Sequence, residues 1–172
     1  MTPATTDVTG ERDELLRMLA ELRHNLLITV RGIDDSAAAR RTTVSELTLG
    51  GIIAHLTQGE RAWTHILSER GGTPDRMWDL DQYRFPEGAT LDGLIAAYTA
   101  AARATDEAVS ALPDLDRTVP LPEAPWEPGV INRWSARRIL LHLMRETAQH
   151  AGHADIIRES LDGANTTAQL GT

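Results

Sequence analysis

The apolar positions of this chain recur at helical spacing. Leu15, Leu16, Leu19, Leu22, Leu26, Leu27 and Val30 fall three and four residues apart, which predicts a helix from Glu11 to about Arg31, ended by Gly32. Asp34-Asp35-Ser36 then predicts a short turn. A second helix is predicted from about Thr48 to Arg70, capped by Ser45 or Thr48 and stopped by Gly71-Gly72. A third runs from Thr90 to Leu112, ahead of Pro113. A fourth runs from Ser135 to Leu161, ahead of Gly163. Thr90 and Ser135 are good N-caps because their hydroxyls can accept from an unpaired backbone N–H of the first turn. No alternating pattern is visible, and no strand is expected.

Two connections are long. Residues 71–89 carry Trp78, Tyr83 and Phe85 among acids and prolines, and 113–133 hold Trp126 and five of the eight prolines. Antiparallel neighbours need only short loops, so these lengths point to crossover connections. The expected architecture is all-α: a four-helix bundle over residues 11–162. Residues 1–10 and 163–172 lack periodicity and are expected to be mobile ends.

At 172 residues the chain suits one domain with a real core. No apolar run approaches the roughly 20 residues of a membrane span, and no signal-peptide pattern is visible, so the expected compartment is the cytoplasm. A formal charge of −8 and the lack of a basic stripe weigh against nucleic acid and anionic membranes as partners. There is no cysteine. Thiolate ligands and a cysteine nucleophile are excluded, so any metal would be held by His, Asp, Glu and water.

The candidate chemistry lies on the fourth helix. Glu146 and His150 are four residues apart, one turn above each other on one face. With Glu146 at zero on a helical wheel, Ile139, His142, His150, His153 and Ile157 fall within about 40° of it, at the edge of the apolar stripe. His142 is also four residues from Glu146, so His142/Glu146 is a rival pair. His142 and His150 are about 12 Å apart along the axis, too far to share one ion. On the second helix, His55 lies within a stripe of small and apolar residues: Thr48, Gly51, Ile52, Gly59, Ala62, Trp63 and Ile66. Small residues admit a close neighbour, and if that neighbour is the fourth helix, His55, Glu146 and His150 converge. Two imidazoles and a carboxylate with open positions form a catalytic metal set. His153 reads as a donor behind the ligands or a pocket residue. Trp63 and Trp134 fit a core. Trp78 and Trp126 suit pocket walls. Arg145, Arg137 and Arg138 are candidate anchors for a cosubstrate carboxylate, Arg145 foremost.

From about Glu11 to Gly163 the chain resembles the DinB-like metal-binding four-helix bundles, in the actinobacterial branch related to mycothiol-dependent S-transferases and maleylpyruvate isomerase. The match rests on Leu47–Leu56 with Glu60-Arg61-Ala62-Trp63, on Arg133-Trp134-Ser135, and on Leu141–Asp155. The resemblance implies a metal on His55, Glu146 and His150, with His153 beside it; His142, Trp63, Trp78 and Trp126 are the further candidates for residues around it. It also implies an up-down-down-up helix order and a homodimer. The activity implied is divalent-metal-dependent, zinc first with nickel or iron as alternatives. It is the transfer of a mycothiol-like thiol to a small electrophile through a metal-bound thiolate. A metal-dependent hydrolase and a non-enzymatic metal-binding module are the competing readings.

Overall fold

The computed structural model describes residues 10–78 and 83–170. Its elements in chain order are α1 (Glu11–Ile28), α2 (Asp35–Ala38), α3 (Leu49–Leu67), α4 (Leu91–Ser110), β1 (Thr118–Pro120), β2 (Arg133–Ser135), α5 (Ala136–Asp162) and α6 (Thr166–Gln169). The four long helices start where the sequence says they should. The hydroxyls of Thr48, Thr90 and Ser135 accept from the backbone N–H groups of Gly51, Gly93 and Arg138. Gly163, at φ +81°, ends α5 in the left-handed conformation that glycine adopts without steric cost.

Packing pairs α1 with α5, α5 with α3, and α3 with α4. Hydrogen bonds fix the directions. Arg12 at the start of α1 donates to Leu112 O just past the end of α4, so these two run antiparallel. Thr64 and Thr105, each well along its helix, share a 2.8 Å hydrogen bond, so α3 and α4 run parallel. Arg137 at the start of α5 pairs with Glu11, and Arg158 near its end donates to Thr29 O and Arg31 O, so α5 runs parallel to α1. The order is therefore up-down-down-up, and the chain is the helical bundle expected from its sequence. Because α3 and α4 are parallel, the linker between them must return the length of the bundle. It brings Tyr83 back to the first turn of α3, where Thr48 N–H donates to Tyr83 O at 3.3 Å.

The core is almost wholly aliphatic. One cluster centres on Leu19, Ile66, Leu67, Val109, Ile139 and Leu140; the other on Leu26, Ile52, Ile53, Leu56, Ala154 and Ile157. No described helix is long and apolar enough to cross a membrane.

The sequence reading expected no strand, and the structure has two. β1 and β2 pair antiparallel inside the second long linker, Val119 opposite Trp134. Three residues are too few for a period of two to show, and Pro120 argues against a strand except at an end, where it lies. Thr166–Gln169, in the expected C-terminal tail, form a short helix capped by Asn165. Thr166 N–H donates to Asp155 Oδ1 at 2.8 Å. Residues 1–9 and 171–172 of the expected ends lie outside the described residues.

Candidate metal centre

His55 on α3 meets Glu146 and His150 on α5. Glu146 Oε2 lies 4.0 Å from His55 Nε2 and 3.8 Å from His150 Nε2. One ligand atom from each residue lies within 4.8 Å of the other two. These gaps exceed hydrogen-bond reach. They are close to the roughly 3.3 Å edge of a tetrahedron with bonds of about 2.0–2.1 Å. The donor set of two imidazoles and one carboxylate fits a divalent ion and leaves an open position. Burial, followed by the nearby His55, pushes His150 down to about 4. It is neutral at physiological pH, with a lone pair to offer.

The neighbours orient these groups. His153 Nδ1 lies 3.4 Å from His150 Nδ1. If His150 Nδ1–H donates there, Nε2 is left bare toward Glu146. Arg145 donates to Glu146 Oε1, which leaves Oε2 toward the two histidines.

The same arginine also engages the rival pair. Arg145 has only donors, so its 3.1 Å contact makes His142 Nδ1 an acceptor and puts the proton on Nε2. That nitrogen faces Glu146 Oε1 at 3.9 Å as N–H. His142 packs edge-on against Trp63 and Trp134, and burial lowers its pKa.

Beside the cluster opens a cavity of about 490 Å³, within the range of small-molecule sites. His55, Glu146, His142, Glu60 and Thr147 line it, together with all four tryptophans. Trp63 and Trp134, which the sequence suggested were core, stack at 5.1 Å and 7° and also form its wall. Trp78 and Trp126, from different linkers, meet edge to face at 4.9 Å. Of the three candidate anchors, Arg145 is absent from this wall and is engaged with Glu146 and His142. Arg137 is tied to Glu11 and Asp116. Arg138 lines the cavity, its guanidinium 4.2 Å above Trp134.

The small-residue stripe on α3 has a use beyond the one expected. A β-carbon at Gly51 would overlap the Tyr83 carbonyl, and one at Gly50 would overlap the Phe85 ring. At these two glycines the close neighbour is the returning linker, while further along α3 packs on α5, where His55 meets Glu146 and His150. Gly59 has open space and lines the cavity. The docked linker sets Tyr83 against the site, 4.7 Å from His55 and 5.6 Å from His150 between ring centroids. Burial, then Glu146, raises its phenol pKa, so it stays protonated. Tyr83 was not singled out from the sequence. Its one signal was an aromatic in a long linker behind a Gly-Gly helix start.

A bundle with this helix order, with a histidine–carboxylate cluster that could hold a metal ion, has the DinB-like architecture. The mycothiol S-transferase family profile matches residues 14–163, and the chain belongs to that family. No curated protein gives a significant match. A crystallised conserved protein from Enterococcus faecalis shares the fold at a TM-score of 0.64, with 12% identity over 91% of this chain and 100% of that one.

Proposed function

We propose that the protein joins a low-molecular-weight thiol of the mycothiol type to a small electrophile at a divalent ion, zinc in the first instance, held by His55, Glu146 and His150. The observation that carries this reading is the open cluster of three ligand groups at the wall of an indole-lined cavity, in a mycothiol S-transferase family member. Such an ion would acidify a coordinated thiol so that the sulfur is ionised near neutral pH.

The chain supplies everything else but the sulfur. It has no cysteine, so the nucleophile comes from the cosubstrate. His153 Nδ1 lies 3.4 Å from His150 Nδ1, and by accepting a proton there it would fix the His150 nitrogen that faces the site. Arg145 occupies one oxygen of Glu146 and fixes the other. Tyr83 covers the two histidine rings. The indoles keep the cavity apolar, which favours a poorly hydrated and therefore reactive sulfur. In the transfer, the sulfur's electron pair forms a carbon–sulfur bond at the electrophilic carbon. The displaced group departs with its bonding pair, and the thiol proton passes to solvent.

Mixing zinc-loaded protein with mycothiol and a panel of small electrophiles is expected to consume thiol and electrophile in equal amounts. No thiol loss across the panel, with metal bound, would sink this reading. Loss of electrophile without any thiol would instead make water the nucleophile.

A further inference from the structure

We propose that the cavity receives a flat, uncharged aromatic group, so that the electrophiles this site takes are arenes or carry one. The word electrophile rests on the transferase reading above; the binding preference rests on the cavity alone.

The aromatic residues are unevenly distributed over the molecule. The chain has four tryptophans, two tyrosines and one phenylalanine. Its core is aliphatic, with Tyr98 as the fully buried aromatic. Yet every tryptophan lines this one cavity. Packing explains Trp63, which is 8% exposed, but not Trp126, which is 70% exposed on a linker. An exposed indole costs hydration and gains little unless something covers it. Val130 and Ile131 are exposed on the same linker.

The indoles are also arranged as aromatic rings arrange around one another. The cavity is framed by two indole pairs of different geometry, one stacked and one edge to face. The pairs come from four separate segments: α3, β2 and the two long linkers. Both geometries are those that aromatic rings prefer with each other, and a further ring can extend either. An aliphatic acceptor would be held as well by leucine walls.

The cavity lining carries both signs of charge, Arg76 and Arg138 against Glu60, Glu127 and Glu146, and Arg138 already covers a face of Trp134. The walls therefore favour neither a cation nor an anion over a neutral ring.

The test is to titrate the full chain, free of metal and thiol, with 2-naphthol and with its saturated counterpart decahydro-2-naphthol. The four indole N–H signals of ¹⁵N-labelled protein and calorimetry are read together. The proposal expects 2-naphthol to move the indole signals and to bind at least about tenfold tighter than the saturated alcohol. Trp78→Ala with Trp126→Ala should weaken 2-naphthol by about tenfold at unchanged far-ultraviolet circular dichroism. Trp126→Ala alone, at an exposed position, serves if the double variant misfolds, and should weaken binding several-fold. Equal affinity for the two alcohols would overturn the proposal. So would indole signals that respond to mycothiol and not to 2-naphthol, which would give the walls to the thiol's sugar. Failure of thiol transfer with 2-naphthol still bound would sink only the transferase reading. Thiol transfer without arene preference would sink only this one.

Discussion

Two carboxylates on facing helices sit among basic neighbours in the interior of this bundle, and they are treated in opposite ways. Glu60 on α3 is 1% exposed. Its Oε1 accepts from Arg23 Nε at 2.7 Å, and its Oε2 accepts from the Thr105 hydroxyl, which accepts in turn from Thr64 at 2.8 Å. Arg23 also reaches Asp106 at 2.8 Å. Both oxygens of Glu60 are satisfied at hydrogen-bond distances and the network ties α1, α3 and α4 together, while Arg23 Nη2 is buried without a hydrogen-bond partner among the described residues. Glu146 on α5 gives one oxygen to Arg145 and turns the other to His55 and His150 at 4.0 and 3.8 Å, beyond hydrogen-bond reach. A buried charge is tolerated when it is paired. The first cluster is paired within the protein. The second holds its groups apart, at a spacing that an ion would close. Both line the same cavity, and Glu60 and His55 are little more than one turn apart on α3.

If this contrast is right, the two clusters respond to different insults. The largest effect is expected from Glu60→Ala, which strands the Arg23 guanidinium in the interior. It should cost about 3–5 kcal/mol in urea unfolding, with metal binding by the folded fraction intact. A loss of metal without loss of stability would reverse the roles assigned here.

Acid comes next, and it acts on the open cluster. His150 has a folded pKa of about 4, below the unfolded value near 6.5. Between those values the unfolded chain binds more protons. The contribution of a neutral His150 is therefore complete above pH 6.5 and is lost as pH falls through about 4. It is on the order of 3 kcal/mol. The metal-free wild type should lose stability over that window, and His150→Asn should show a flatter profile. Identical profiles would mean that His150 is not held neutral by burial.

The smallest effect is expected from His153→Ala. It removes the acceptor behind His150 without touching the three ligand groups. Metal affinity, measured by competition with a chelating dye, should fall about 10–100-fold, while stability of the metal-free protein changes little. Unchanged affinity would show that the His153–His150 contact does not orient the ring.

Much of this was legible in the sequence because it depends on local rules. Helix period and caps place the four long helices, and the i,i+4 spacing places Glu146 over His150. The Glu60 network was not legible, because Glu60 finds its partners on two other helices and sits in sequence among ordinary polar residues. The sequence reading puts Arg145 ahead of Arg138, although helical geometry does not tell the two apart. They are seven residues apart, two turns, so a wheel puts them within about 20° of each other. What separates them is tertiary: Trp134 on β2 stacks under one, while the other turns to Glu146 and His142. Tyr83 was invisible because a linker has no period. Its position is set by two glycines on a different segment.

The most direct test of the central claim is the metal content of untagged protein, by mass spectrometry, for the wild type, His150→Ala and Glu60→Gln. The account predicts about one divalent ion per chain in the wild type and in folded Glu60→Gln, and almost none in His150→Ala. Equal metal in the wild type and His150→Ala would contradict it.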